Sequence, residues 1–352
     1  APAAYGGRRL RRRNLASLSP RPASRRSPRR GPDVTPDAAG SLADLGTVAG
    51  PLAALLDRER YARVGGLYGG AAGRVLASVA RLEGALLVVT ADARAMDAVR
   101  LDIDAFLGTA CLPFPAWPRD VGQGPPDPDA LFGRVRVLEA LADARATPPT
   151  TPLVVVGSLA ALAQPLPSVA VFEASTVELR PGDEHVLHVL LEHLALSGFS
   201  RVGAVEAQGE FAARGGVLDV WPWGVETPVR IDFFGDEVES VNELDAATQR
   251  SGRALDAATI RALPAERFRH PTGDAAALLD AHLPRDVRVV RLDPDAIAEA
   301  ALQHRGGAEV GDAALRRLDE ALLQHPRIDA YALPLGPDGD LDVDVGGIDA
   351  LQ

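Results

Sequence analysis

The chain contains no lysine, because all 37 of its basic residues are arginine. Any mechanism that needs a lysine amine is therefore excluded. A single cysteine, Cys111, excludes an internal disulfide and favours a reducing compartment. Every apolar run falls short of the roughly 18 residues that a membrane-spanning helix needs. Only 5% of the residues are aromatic, so the few that occur are informative.

The net charge of −11 hides an asymmetry along the chain. Residues 1–34 hold ten arginines and one acidic residue, so the remainder carries about −20. This pattern predicts a disordered basic tail over residues 1–40. A nucleic-acid-binding arm is the alternative. Because no apolar core follows the arginines, we predict no secretory signal. We also expect a cytoplasmic protein that is a monomer and does not contact a membrane.

Apolar strands alternate with helices before and after the middle of the chain. Residues 85–90 and 152–157 are continuous apolar runs, which are typical of strands in a parallel sheet covered on both faces. Residues 287–292 and 328–335 are also predicted to be strands, and a helix is expected from about Arg74. From about residue 176 the pattern changes to an amphipathic helix over 183–197, followed by alternating β sequence over 201–246. We therefore predict an α/β domain interrupted by an inserted α+β module with an antiparallel sheet.

The composition shifts give the expected boundaries. The segments are a tail at 1–40, the first part of the α/β domain at 41–175, the inserted module at 176–264, the second part of the α/β domain at 265–340, and the start of a linker at 341–352.

The module contains a predicted hairpin with an aromatic residue on its polar face. Alternation along VRIDFF, residues 229–234, places Arg230 and Phe234 opposite a buried Val-Ile-Phe face. Gly235-Asp236 predicts a two-residue turn, which pairs Phe234 with Glu237. The alternation of side chains along the strand thus predicts an outer face that carries an arginine and a phenylalanine.

Two interpretations of this outer face are open. An aromatic side chain near arginines is typical of protein–protein hot spots. Alternatively, Arg230 pairs with Glu239 at the surface, and Phe234 is covered by the α/β domain. Upstream, Gly215-Gly216 follows Arg214 and predicts a β-bulge or a close backbone approach.

The run GEFAARGGVLDVWPWGVETPVRIDFFGDEVES, residues 209–240, and the following DAATQRS resemble the UvrB-interaction module of bacterial transcription-repair coupling factors (Mfd). Residues 45–340 resemble the N-terminal region of the same family more loosely. The family is a DNA-translocating ATPase that displaces stalled RNA polymerase and recruits the excision-repair protein UvrA. Two arginines and a phenylalanine of the family's module contact UvrA, and by motif they correspond to Arg214, Arg230 and Phe234.

The resemblance implies a helicase-like α/β domain that has lost its nucleotide site. A phosphate-binding loop needs the pattern G-x-x-x-x-G-K-[ST], in which lysine reaches the phosphates and the hydroxyl holds magnesium. Here the corresponding GLYGGAAG, with Gly66, Gly69, Gly70 and Gly73, has no lysine. We therefore expect a non-catalytic chain with no cofactor, whose family contacts with RNA polymerase and DNA lie in downstream domains.

His185, His188 and Glu192 share the spacing i, i+3, i+7, which one helix face could offer to a metal. Because no fourth ligand is near, we predict a solvated face and no metal site. We also find no nucleophile constellation.

The alternative function is the beginning of a UvrB-type excision-repair helicase subunit. That protein should show an intact phosphate loop and a tyrosine-rich DNA hairpin, whereas the tyrosines here are only Tyr5, Tyr61, Tyr68 and Tyr331. Under the coupling-factor reading, truncation of Arg230 or Phe234 should weaken UvrA binding and leave the fold intact.

Overall fold

The computed structural model describes residues 42–118, 127–304 and 312–343. Its α-helices are α1 (Leu42–Arg58), α2 (Ala71–Glu83), α3 (Ala93–Leu107), α4 (Pro128–Ala146), α5 (Leu159–Leu162), α6 (Val169–Ala174), α7 (Leu187–Leu196), α8 (Ala265–Arg269), α9 (Pro294–His304) and α10 (Asp312–Leu322). Short 3₁₀ turns lie at Gly273–Ala275, Leu279–His282 and Gly336–Asp338. The predicted tail at 1–40 lies outside the described residues.

The strands are β1 (Tyr61–Gly65), β2 (Ala85–Thr90), β3 (Leu112–Phe114), β4 (Leu153–Ser158), β5 (Leu166–Pro167), β6 (Thr176–Leu179), β7 (Ser200–Arg201), β8 (Glu210–Arg214), β9 (Val217–Val220), β10 (Val229–Phe234), β11 (Glu237–Asp245), β12 (Arg250–Ala254), β13 (Ala258–Arg261), β14 (Ala276–Ala277), β15 (Arg288–Leu292), β16 (Arg327–Ala330) and β17 (Leu341–Asp342).

Seven of these strands form one sheet in the order β17-β1-β16-β15-β2-β4-β3. Every pairing within this sheet is parallel. The strands predicted at 287–292, 85–90 and 152–157 lie side by side as β15, β2 and β4. Because β15, β16 and β17 follow the antiparallel strands in the chain, the chain leaves the parallel sheet after β4 and later returns to it. The predicted α/β fold class is confirmed.

The central strand β2 is buried along its whole length because helices cover both faces of the sheet. Leu87 and Val89 pack in one core with side chains from α4, α9 and α10. Leu86 and Val88 point the other way, into a core formed with α1, α2 and α3. This arrangement explains why the strand is continuously apolar rather than alternating.

The inserted region forms a six-stranded sheet in the order β12-β11-β10-β9-β8-β7. Its pairings are antiparallel except for the short parallel contact between β7 and β8. Helix α7 covers the inner face, where Leu190 and Leu194 pack against Phe211, Ile231 and Phe233. Strands β6 and β13 pair separately and close the same core.

The structure corrects two expected helix starts. Helix α7 begins at Leu187 rather than near 183, because the preceding segment bonds to the β10–β11 hairpin instead. The amide of Gly182 donates to the Val238 carbonyl at 2.8 Å, and that of His185 donates to the Asp236 carbonyl at 2.7 Å. Helix α2 begins at Ala71 rather than near Arg74.

Two strand ends also differ from expectation. The strand expected over 328–335 is β16, which ends at Ala330. The sequence expected to begin a linker at 341 starts with β17, which pairs in parallel with β1. Val343, only 5% exposed, belongs to the core beneath α1 and α2. The ordered sheet therefore continues past residue 340, and residues 344–352 lie outside the described residues.

Candidate partner-binding site

The outer face of the six-stranded sheet, turned away from α7, carries the three residues predicted to bind a partner. In one cross-strand row, Arg230 lies opposite Asp219 on one side and Asn242 on the other. In the next row, Arg214 lies opposite Val217, which in turn lies opposite Asp232. Because side chains alternate along a strand, Arg214, Arg230 and Phe234 share this face.

Phe234 is the most exposed large hydrophobic side chain in the described sequence, at 80% of its full accessible area. It flanks the turn at Gly235, whose φ of +67° lies in the left-handed region that favours glycine. Phe234 pairs with Glu237 and Phe233 with Val238, as predicted. The α/β domain does not cover Phe234, which removes one of the two interpretations of this face.

Arg230 is anchored to its own sheet rather than to Glu239. Its guanidinium makes two hydrogen bonds to the Asp219 carboxylate, at 2.6 and 2.8 Å. A third N–H donates to the Gln249 carbonyl at 3.2 Å. Asp219 is only 4% exposed. The hydrogen bonds to Asp219 raise the pKa of Arg230, against the lowering effect of burial, so the arginine stays charged and fixed.

Arg214 ends β8 beside a tight glycine turn. Gly215 has a φ of +61°, and Arg214 pairs with Val217 across the Gly215-Gly216 turn. The predicted bulge is therefore a hairpin turn. The predicted close approach is present, since a Cβ on Gly216 would lie 2.5 Å from the Phe233 carbonyl oxygen. The exposed Arg214 side chain donates to the Gly203 carbonyl.

A small apolar cluster packs on the outer face of the six-stranded sheet. Val205 in the β7–β8 loop packs with Ala212 and Leu244, and Trp221 covers them. The Trp221 indole donates to the Val225 carbonyl at 3.0 Å. The loop over residues 202–209 therefore lies on the same sheet face as the arginines. The alternating pattern of the strands did not predict that this loop covers part of the outer face, because the placement of a loop depends on contacts distant in sequence.

Trp223 joins the module to the α/β domain. It packs against the core clusters of both, and its ring lies 6.3 Å from that of Phe199. Nearby, Arg136 pairs with Glu226 at 2.9 Å and Arg261 pairs with Glu139 at 3.2 Å. Burial raises the pKa of Glu139, and the Arg261 guanidinium opposes this effect. These contacts fix the orientation of the module on α4.

The glycine-rich segment connects β1 to α2, where a phosphate loop would lie. Gly66 instead packs against the last strand, since a Cβ there would be 2.4 Å from the Val343 carbonyl oxygen. Gly69 has a φ of +57°, and Gly70 precedes the first turn of α2. Gly73 lies inside α2, where a Cβ would be 2.5 Å from the Cβ of Asp102 on α3. Close packing thus accounts for two of the four glycines.

A cavity of about 370 Å³ opens beside this segment, at the carboxyl ends of β2 and β15. Its charged lining residues are Asp92, Asp102 and Asp293, and the remaining lining residues are apolar or glycine. Such a lining repels phosphate groups instead of binding them.

The three candidate metal ligands of the module do not share a helix. His185 precedes α7 and bonds through its backbone to the hairpin turn, whereas His188 and Glu192 lie on the helix itself. Within the part of the chain that the structure describes, no group of three or more His, Cys, Asp or Glu side chains could hold a metal ion. In the same residues, no helix combines the length and apolar character that crossing a membrane requires.

Comparison with known families gives the class of the module. Residues 177–268 match the family model of the UvrB interaction domain. The match spans the six-stranded sheet and its helix α7, and it lies close to the boundaries expected from the sequence. The chain therefore carries a UvrB interaction domain within an α/β protein.

Transcription-repair-coupling factors from several bacteria are similar to this chain. The factor of Mycobacterium bovis is 34% identical over 193 residues, which are 53% of this chain and 15% of that protein. The factor of Myxococcus xanthus is 33% identical over 222 residues, 58% of this chain and 18% of that protein. The factor of Escherichia coli is 37% identical over 119 residues, 34% of this chain and 10% of that protein.

The resemblance to transcription-repair coupling factors predicted from the sequence is thereby confirmed. The matched part of the chain spans less than a fifth of the length of these relatives.

Proposed function

We propose that this chain is the non-catalytic, UvrA-recruiting part of a transcription-repair coupling factor. In nucleotide excision repair it would bring UvrA to RNA polymerase stalled at a lesion. Contacts with the polymerase and with DNA would be made by parts of such a protein other than these 352 residues. The observation that carries the proposal is Phe234, 80% exposed beside two arginines within the matched UvrB interaction domain.

The proposed docking face consists of Arg214, Arg230 and Phe234. An exposed phenylalanine offers apolar area that association would remove from water. Arginine forks recognise carboxylates through paired hydrogen bonds. Because the parts other than the basic tail carry about −20, the exposed Arg214 is a local cationic position on an acidic chain, whereas Arg230 is already paired with Asp219. An acidic patch with an apolar pocket on UvrA fits this arrangement.

We also propose that the α/β domain, divided into 41–175 and 265–340, is a scaffold without nucleotide chemistry. Two features support this. The sequence has no lysine to reach a phosphate, and the cavity beside the glycine-rich segment is lined by three aspartates. The module over 176–264 is then the functional part, held on α4 by Trp223.

The test is a titration of UvrA against the full chain and its variants. Phe234→Ala and Arg214→Ala should each weaken binding roughly 30-fold, since truncating a hot-spot residue typically costs about 2 kcal/mol. Leu196→Ala is the matched apolar control, because Leu196 is 76% exposed but lies on α7, which covers the opposite sheet face. Arg285→Ala, exposed in the α/β domain, controls for the loss of a positive charge.

Binding that is equally strong for the wild type, Phe234→Ala and Arg214→Ala would exclude this face as the docking site. Circular dichroism at the titration temperature checks that each variant is folded. If the wild type itself fails to bind UvrA, the proposed function is wrong, whatever the variants do.

A further inference from the structure

Gln249 has a backbone conformation that its residue type rarely adopts. It lies in the turn between β11 and β12 with a φ of +57°. A non-glycine residue in the left-handed region is costly and persists only where the surroundings hold it there. The backbone N–H of Gln249 donates to the Asp245 carbonyl at 2.7 Å. The turn itself is fixed by the Asp245 carboxylate, whose pKa is lowered by the hydrogen bond from the Thr248 amide.

This conformation lets Gln249 hold two parts of the outer face at once. Its carbonyl accepts a hydrogen bond from Arg230 at 3.2 Å. Its side-chain amide donates to the Val205 carbonyl at 3.0 Å and to the Ala246 carbonyl at 2.7 Å. The Val205 side chain is fully buried in the apolar cluster of the outer face. Gln249 thus fastens the β7–β8 loop to the β11–β12 turn.

The fastened loop in turn holds the other arginine. The carbonyl of Gly203, two residues before Val205, accepts the hydrogen bond from Arg214. The far end of the loop is held separately, because the amides of Glu206 and Ala207 both donate to the Glu210 carboxylate at 2.9 Å. On the side towards β7, the amide of Val202 donates to the Phe211 carbonyl at 2.9 Å. The Gln249 side-chain amide is therefore the nearest attachment on the other side of the Arg214 contact.

We propose that Gln249 is a positioning residue of the docking face, with its side-chain amide ordering the loop that orients Arg214. This inference rests on the proposed function, because it assigns Gln249 a role in UvrA binding. Gln249 would not contact UvrA itself. Phe234, which lies at the other end of β10, would be independent of it.

The first measurement is amide hydrogen exchange of the free chain with Gln249→Gly. Glycine adopts the left-handed φ without strain, so the turn and the carbonyl that accepts from Arg230 are retained while the side-chain amide is lost. We expect exchange over residues 202–207 to rise at least several-fold, with no change in the global unfolding midpoint. Ala247→Gly, exposed in the same turn, is the matched control and should leave this segment unchanged.

The second measurement is UvrA affinity in a double-variant series. Gln249→Gly should weaken binding by about tenfold in the wild-type background and in Phe234→Ala, but by less than about twofold in Arg214→Ala. A merely destabilising change would weaken binding equally in all three backgrounds. The salt dependence of binding should also fall in Gln249→Gly, because an oriented charge is lost.

The outcomes separate this inference from the proposed function. If the wild type does not bind UvrA but exchange rises in Gln249→Gly, the proposed function fails and the ordering role of Gln249 stands. Unchanged exchange over 202–207 overturns the inference. So does full UvrA affinity of Gln249→Gly, or an equal loss in the Arg214→Ala background.

Discussion

At the scale of single residues, Arg230 serves the fold as well as the proposed docking face. The sequence led us to expect that its truncation would spare the fold, because its side chain points away from the core. The structure leads to a different prediction, since Asp219 is nearly buried and receives two hydrogen bonds from Arg230. Removing the arginine leaves a buried carboxylate without its counter-ion.

We therefore predict that Arg230→Ala lowers the free energy of unfolding by about 1–3 kcal/mol, the usual cost of leaving a buried acceptor without its partner. The double variant Arg230→Met, Asp219→Asn should recover most of this loss, because it leaves no uncompensated charge. Urea unfolding of the wild type, the single variant and the double variant measures both effects. A single variant as stable as the wild type would show that water reaches Asp219 freely. For UvrA binding, Phe234 and Arg214 are consequently the cleaner probes.

At the scale of secondary-structure elements, the contact between α2 and α3 depends on Gly73. Alanine favours a helix interior over glycine by about 1 kcal/mol. At this position, however, a Cβ would lie 2.5 Å from the Asp102 Cβ and 2.6 Å from its carbonyl carbon. Overpacking against backbone typically costs about 1–3 kcal/mol, so the steric cost exceeds the propensity gain.

Gly73→Ala should therefore reduce the free energy of unfolding by up to about 2 kcal/mol, measured as a lower urea midpoint with an unchanged slope. Leu82→Ala, exposed on the same helix, should change the midpoint little. If Gly73→Ala were instead more stable than the wild type, the two helices would be able to separate at low cost.

At the scale of the whole molecule, the α/β domain has the strand–loop–helix order of a nucleotide-binding fold, but its glycine-rich segment contains no lysine. We predict that the chain neither hydrolyses ATP nor gains thermal stability from it. A ligand at about 100 times its Kd stabilises by about 2.7 kcal/mol, which would raise the melting temperature by several degrees. Melting curves with and without magnesium and ATP, and an ATPase assay with an intact phosphate-loop enzyme as positive control, test this. Turnover that survives repurification would contradict the prediction.

Much of the fold could be predicted from local sequence, because burial and turn geometry leave a local signature. Continuous apolar runs identified β2 and β4, the valine-rich segment 287–292 identified β15, and alternation placed Phe234 on the outer face of its strand. Gly235 marked the hairpin turn because few other residues adopt its φ of +67°. The absence of lysine argues against a working phosphate-binding loop on the sequence alone. Element ends were less predictable, as α7 and β17 show, because they depend on which backbone partner is present.

What only the tertiary structure decided is which groups meet across the sheet and its loops. Asp219, rather than Glu239, pairs with Arg230 because β9 and β10 align these two positions after a loop whose length does not fix the register. The sequence marked Gln249 only as a member of the DAATQRS motif and gave no sign of its contacts, since these depend on a left-handed turn meeting the Val205 carbonyl 44 residues away. Trp223 contacts both cores because the module packs against α4, which the sequence does not show. Local pattern determines which face a side chain takes, whereas its partner is set by long-range packing that brings distant segments together.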